Sequence, residues 1–356
     1  MVFENYAAHV HVSAAPLTCE ILNFFNTWHT AAALARHFPQ YHPRSLERAV
    51  RQLARANLLD SSTDRRKTAS SFEWWATWGP AARFFHFSTK DTNVPAEPED
   101  SIRALRRRAR VSPMPAPVKS YPRAKQIALP QARNEGELAQ ALLERRTWRK
   151  FAAAPTDLDS IATLFGLTFG VQWWLDMPGV GRIALKTSPS GGSRHPIEAY
   201  LLAKNVAGIE RGVYHYNAGS HRLELLRTGC SRSQIERYLN RQWWFGDASA
   251  IVLMTAVFSR TQWKYPAPRA YRAVLLEAGH LCQTFCLVAT WLGLAPFCTM
   301  AMADSAIERE LGIDGVTESV IYAAGVGTRP KGMEWAPWPA RAYGKRAAHA
   351  AHPENK

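Results

Sequence analysis

The runs IEAYLLAK (Ile197–Lys204) and GVYHYNAGSHRLELL (Gly212–Leu226) decide the reading of the fold. Ile197–Lys204 and Gly212–Tyr216 are short, apolar and aromatic, Asn217-Ala218-Gly219-Ser220 is a turn, and His221–Leu226 returns as the hairpin partner. Downstream, Ala250–Phe258 reads as another apolar strand, Tyr271–Leu292 as a long helix, Asp304–Leu311 as a short helix and Ser319–Gly325 as a last buried strand. Upstream, a helix carrying Leu138, Leu142 and Leu143 ends near Arg145. A second runs from an N-cap at Thr156 through Ile161, Leu164, Phe165 and Phe169. Strands and long helices that do not alternate as βαβα predict an α+β fold rather than a doubly wound sheet.

Residues 1–90 read as a separate helical unit. Leu34, Ala35 and Phe38 share one side of a short helix, and Leu46, Val50, Leu53, Ala54 and Leu58 follow helical spacing after Tyr41-His42-Pro43. Two short helices, a tight turn and the polar Asp60–Thr63 stretch predict a winged-helix-like domain. Arg44, Arg48, Arg51 and Arg55 are interleaved with Glu47, which speaks against a nucleic-acid helix and for docking of a peptide or partner protein. Residues 91–130 carry seven prolines, Pro95 to Pro130, and the run RALRRRAR, and read as a basic linker or extended arm. A domain from 131 to 340 and a tail from 341 to 356 complete the expected division.

The 356 residues carry Lys+Arg 44 against Asp+Glu 29, a net charge of +15, which favours acidic partners without specifying a fold. The five cysteines (Cys19, Cys230, Cys282, Cys286 and Cys298) are odd in number and scattered, so no disulfide framework is expected. Cys282 and Cys286 lie four apart with no completing ligand nearby, and no metal site is expected. The N-terminus lacks a basic leader before an apolar core. The longest apolar stretch, Leu281–Phe297, is broken by Gln283, Thr284, Thr290 and Gly293 and falls short of the about 20 residues of a membrane span. A cytoplasmic protein is the resulting expectation.

The signatures GxSxG, HExxH and Walker A are absent from the sequence, and no GxGxxG opens a helix after a strand. Two stretches carry chemistry instead. RRTWRKF (Arg145–Phe151) packs cations around a hydroxyl just after a helix. Guanidinium forks there suit a phosphate, although basic residues complementing a helix C-terminus would look the same. SPSGGSRHP (Ser188–Pro196) stands immediately before a strand; its two glycines let backbone amides approach a flat ligand, and its prolines fix the entry and exit of the loop.

These stretches, with KYPAPRAYRAVLLEAGHLCQTFCLVATWLGL (Lys264–Leu294) and IYAAGVGTRP (Ile321–Pro330) in that order, resemble the nitroreductase superfamily of FMN flavoproteins. More narrowly, they resemble the azoline (thiazoline/oxazoline) dehydrogenases of the SagB/ThcOx type, which mature ribosomally made peptides. FEWWATWGPAARFFHFSTKDT (Phe72–Thr92) resembles the front section of that subfamily. The resemblance covers about residues 131–335 and implies a homodimeric α+β sandwich with FMN held between subunits. It assigns Arg145, Arg146, Thr147 and Arg149 to the FMN phosphate. Pro189, Ser190, Gly191 and Gly192 fall to the isoalloxazine edge, with Gly327 and Arg329 at a last phosphate-side contact. Around Cys298-Thr299-Met300-Ala301 the chain departs from the Pro-Ile-Glu-Gly of simple nitroreductases, where Met300 and Ala301 would face the flavin.

Lys264-Tyr265 matches the pair that the azoline dehydrogenases use in catalysis. Converting an azoline to an azole removes a hydride and a proton, so the chemistry requires a positioned base such as Lys264 and a proton-bearing partner such as Tyr265. Glu277 and His280 read as a polar helix stripe, and the Trp74-Trp75, Trp173-Trp174 and Trp243-Trp244 pairs as packing residues. The expected function is FMN-dependent oxidation of an azoline in a precursor peptide, with a cyclodehydratase as possible partner enzyme. An NAD(P)H-dependent nitro- or quinone reductase is the first rival, and a DNA- or peptide-binding protein with a degenerate flavin domain the second.

Overall fold

The computed structural model describes residues 1–6, 8–62, 74–92, 97–112, 114–119, 121–130, 132 and 134–332; the 341–356 tail lies outside them. The chain divides into two compact units, Met1–Lys90 with Tyr265–Tyr271, and Asp91–Lys264 with Arg272–Lys356.

In the first unit, strands β1 (Val2–Asn5) and β2 (Val10–Ser13) pair as an antiparallel hairpin, followed by helices α1 (Leu17–Phe24), α2 (Ala31–His37) and α3 (Pro43–Arg55). Thr30 caps α2 by accepting the Ala33 N–H at 3.1 Å, and Pro43 opens α3, where its missing N–H costs nothing. The apolar positions read from the sequence close one core of Ile21, Leu34, Phe38, Leu46 and Leu53. The hairpin precedes the helices. The stretch after them, 63–73, where a wing would lie, is outside the described residues. Helix α4 (Gly79–Ser88) carries His86, which stacks on the buried Trp75 at 4.7 Å and shares a 2.9 Å hydrogen bond with the Tyr271 hydroxyl. Trp75 is therefore a packing residue, as the sequence suggested, whereas Trp74 is exposed.

The second unit is built on a six-stranded, wholly antiparallel sheet in the order β7-β6-β5-β8-β10-β9. Its strands are β5 (Ile197–Ala203), β6 (Gly212–Asn217), β7 (Arg222–Thr228), β8 (Ala250–Val257), β9 (Leu294–Thr299) and β10 (Glu318–Thr328). Leu202, Ile251, Leu253, Phe297 and Ala323 of this sheet share a buried cluster with Ile235 and Tyr238 of helix α8 (Arg232–Tyr238) and Ile307 of helix α11 (Asp304–Leu311). Phe245 stacks face to face on Phe297 at 3.7 Å inside it. Helix α10 (Ala270–Trp291) presents a buried stripe of Val274, Ala278, Leu281, Phe285 and Ala289 at helical spacing. It is long and apolar enough to cross a membrane by length and composition, yet half of its apolar window is buried inside the fold, as in a core helix.

Two sequence expectations are revised. Helix α7 (Leu158–Thr168) is capped by Asp157, whose carboxylate accepts the Ser160 N–H at 2.7 Å, not by Thr156, which bridges to Val206. RALRRRAR is not an extended arm but lies in helix α5 (Pro98–Val111), with Pro98 in the first turn, Glu99 and Asp100 beside it and Arg108 and Arg110 in the last turn, all complementing the helix dipole. The antiparallel hairpin of β3 (Val171–Met177) and β4 (Gly181–Lys186) is not apparent in the sequence, and it leaves Trp173, Leu175 and Met177 exposed.

Candidate functional site

The cation segment begins where helix α6 (Glu137–Glu144) stops. Arg146 turns its guanidinium back onto the carbonyls of Leu143 at 2.6 Å and Arg145 at 2.8 Å, so it caps the helix end. The chain then runs along the end of the sheet. Trp148 N–H donates to Pro296 O and Ala152 N–H to Thr328 O, each at 2.9 Å. Arg329 lies over the Trp148 ring at 5.2 Å and donates to Leu294 O at 3.1 Å, while its Nε is buried without a hydrogen-bond partner. The Arg145–Phe151 segment thus runs past the Leu294 end of β9 and the Thr328 end of β10, where Arg329 also stands, and the buried guanidinium donor of Arg329 that lacks a partner fits an oxyanion such as a phosphate.

Gly327 serves this cluster indirectly. A Cβ there would sit 2.6 Å from Phe151 Cδ1, so the absent side chain lets Phe151 seat the segment. Gly327→Ala is expected to cost about 1–3 kcal/mol through overpacking and to loosen the cation segment, read as a lower unfolding midpoint together with weaker retention of an anionic ligand.

The loop Ser188–His195 is held by one face of α10. The Ser188 and Thr284 hydroxyls lie 2.7 Å apart, His280 Nδ1 is 3.3 Å from Pro189 O, and the Ser190 hydroxyl donates to Glu277 Oε2 at 2.5 Å. Glu277 is buried and also faces His195 Nδ1 at 3.6 Å, while His195 Nε2 is 3.0 Å from Ala184 O. Glu277, His280 and Thr284 are therefore the grip on the loop, a role that their helical spacing alone did not reveal. Gly192, Ser193 and His195 adopt positive φ of 63°, 55° and 45°. For Ser and His that conformation costs free energy, and such strain is concentrated at functional loops.

Met300 and Ala301 lie at the other end of β9. The register of β10 places Leu294 opposite Thr328 and Thr299 opposite Ala323, so about 17 Å of strand separates them from the cation cluster. The Gln242 amide donates to Ala301 O at 2.9 Å and Thr299 Oγ1 at 3.0 Å, which fixes this turn and leaves Met300 exposed. Gln242 was not singled out in the sequence. Lys264 ends helix α9 (Phe258–Lys264), and the division between the two units falls between it and Tyr265. Tyr265 O accepts the Trp78 indole N–H at 3.1 Å.

A cavity of about 460 Å³ opens beside the loop, lined by Lys186, Arg194, His195, Glu198, Arg260 and Trp263 among others. Arg194 stacks on Trp263 at 5.0 Å, and Glu198 pairs with Arg260 and with His215 at 3.1 Å. Burial pushes the Lys186 ammonium below its ordinary range. Burial also pushes Glu198 up, but its bonds to His215 and Arg260 outweigh that and leave it lowered.

His215 is raised to about 9, first by its hydrogen bond to Glu198 and further by Glu224 at 2.8 Å. Its folded value exceeds its ordinary 6.5, so its contribution to stability is fully present below about 6.5 and disappears as pH rises through about 9. The gap in unfolding midpoint between the parent protein and His215→Gln should shrink over that window. A constant gap would contradict the assignment.

Against known proteins, residues 142–328, just over half of the chain, match the description "Nitroreductase family". The trifolitoxin-processing protein TfxB of Rhizobium leguminosarum bv. trifolii is 33% identical over 175 residues, covering 47% of this chain and 46% of that one. The microcin B17-processing protein McbC of Escherichia coli is 31% identical over 136 residues, covering 35% of this chain and 48% of that one. The chain thus spans about half the length of these curated relatives. A chain in the structure of the E. coli microcin synthetase McbBCD complex with truncated pro-MccB17 bound is similar in fold, with a TM-score of 0.51 and 22% identity, over 75% of this chain and all of that one. The matched residues run from the end of α6 to the last residue of β10 and contain the cation segment, the gripped loop and the Met300 turn: the chain belongs to the nitroreductase family.

Proposed function

We propose that the protein is an FMN-dependent dehydrogenase that oxidises an azoline ring of a ribosomally made precursor peptide to an azole. The observation that carries the cofactor assignment is the buried, unpartnered Arg329 Nε beside Trp148, in the place where the cation segment Arg145–Phe151 bonds to the ends of β9 and β10. Arg145, Thr147, Arg149 and Arg329 would hold the FMN phosphate, with Arg146 keeping the segment in place. Pro189, Ser190, Gly191 and Gly192, together with Met300 and Ala301, would border the ring system. Bound FMN would supply the acceptor for the hydride that leaves the azoline carbon. Lys264 takes the proton lost from the neighbouring carbon, and Tyr265 donates a hydrogen bond or relays that proton.

The choice of substrate is supported by the Lys264-Tyr265 pair and by the peptide-processing relatives. A net charge of +15 favours an acidic peptide. The first unit holds a cavity of about 740 Å³ lined by Leu22, Phe25, Trp28, Val50, Leu58 and Leu59 among others, which suits the docking of a peptide or of a cyclodehydratase partner. The exposed Trp173, Leu175 and Met177 of the β3–β4 hairpin favour a homodimer, in which a second copy brings its Ser188–His195 loop to the cation cluster. Free thiols at all five cysteines fit a cytoplasmic setting.

The visible spectrum of the purified protein, followed by heat release and identification of the chromophore, tests the cofactor assignment. One FMN per chain is expected. A colourless protein that also fails to take up added FMN would overturn it.

A further inference from the structure

We infer that Cys282, Cys286 and Cys298 form a three-thiolate binding site for a soft metal ion, Cu(I) in preference to Zn(II). Cys282 and Cys286 are four residues apart on one face of α10, and Cys298 reaches the same point from β9 after the turn at Gly293, whose φ is +71°. The three Sγ atoms all lie within 4.8 Å of one another. Three sulfurs around one ion at about 2.3 Å, the usual zinc–thiolate distance, would be about 4.0 Å apart, so a small closing motion completes the set. Cys282 and Cys286 are buried and Cys298 is half-buried. The spacing of the cysteines does not point to this site, because Cys298 joins the CxxxC pair only through the fold.

The ligand count selects the ion. Among the described residues no fourth thiol, imidazole or carboxylate belongs to the cluster. Soft thiolates hold both Cu(I) and zinc, but zinc held structurally is almost always four-coordinate, so three ligands favour Cu(I). The surroundings also favour bound thiolate. Tyr322 donates its hydroxyl to Cys298 Sγ at 3.4 Å, an outer-shell contact of the kind that orients metal ligands. Loading breaks the S–H bonds, forms three S–metal bonds and releases the displaced protons to solvent, with no change in oxidation state. The filled site would pin α10, which grips the Ser188–His195 loop, to β9, which links the cation cluster to the Met300 turn.

The test is an anaerobic titration of the full-length, reduced protein with Cu(I) against a colorimetric Cu(I) chelator. One Cu(I) per chain is expected. Cys282→Ala, Cys286→Ala and Cys298→Ala should each weaken it by more than about 100-fold, and Tyr322→Phe by roughly 10-fold. Cys230→Ala, which removes a buried thiol outside the cluster, should leave it unchanged. X-ray absorption on the copper-loaded parent protein needs no variant and should count three sulfur neighbours. The inference is overturned if the triple alanine variant binds as much Cu(I) as the parent, or if fewer than three sulfurs are counted. Zinc held in place of Cu(I), or a disulfide among the three that leaves the protein unable to bind metal, would overturn it as well.

Discussion

Lys264→Ala is expected to lower peptide oxidation by about 10²- to 10⁴-fold while bound FMN is retained, the range over which a positioned general base accelerates a reaction. Lys264 closes helix α9, and on the proposed function its loss would remove the proton acceptor while Arg145, Thr147, Arg149 and Arg329 stay in the chain to hold FMN. Tyr265→Phe keeps the ring and the Trp78 indole bond to its main-chain carbonyl, and removes only the hydroxyl. It should reduce the rate less than Lys264→Ala does. Flavin content by absorbance and turnover by peptide mass separate the two effects. Parallel loss of flavin and activity in Lys264→Ala would show a structural role instead.

Arg329→Ala and Arg149→Ala are expected each to weaken FMN binding by roughly 10- to 150-fold, the equivalent of about 1.5–3 kcal/mol for a charge-assisted hydrogen bond. Arg329 has the sharper expectation. Its removal takes away both the ring contact with Trp148 and the buried, unpartnered Nε. Arg146→Ala should act differently, because that guanidinium engages Leu143 O and Arg145 O. It should lower the unfolding midpoint more than it lowers FMN affinity. Equal loss of FMN in Arg146→Ala and Arg329→Ala would place both on the phosphate.

Local patterns were readable and long-range ones were not. Strands β5 and β8 stand out because they are predominantly apolar runs in the middle of the sheet, and the Asn217–Ser220 turn shows by its residue types. Strand β9 was hidden by Pro296, which argues against a central strand. It is tolerated here because β9 is an edge strand, and the Pro296 carbonyl still accepts from Trp148. Helix α5 was hidden by the prolines around it, although Pro98 opens it rather than breaking it.

At the candidate site, RRTWRKF and SPSGGSRHP stand out in the sequence because their residues are contiguous. The bond from Ser190 to Glu277 spans 87 residues, so the sequence offered only an unremarkable carboxylate on an apolar helix. The same holds for Gln242 on the Thr299–Ala301 turn and for Cys298 beside Cys282 and Cys286. In the fold Arg146 caps the helix end, whereas Arg329 stacks on Trp148.

The most direct test of the account is anaerobic mixing of the FMN-loaded protein with a thiazoline-bearing peptide, following flavin absorbance and peptide mass together. The flavin is expected to bleach in step with the loss of two hydrogen atoms from the peptide, and the matching peptide that already carries the azole should cause no bleaching. Bleaching by NAD(P)H alone, with the thiazoline peptide left unchanged, would contradict it and identify a nicotinamide-driven reductase.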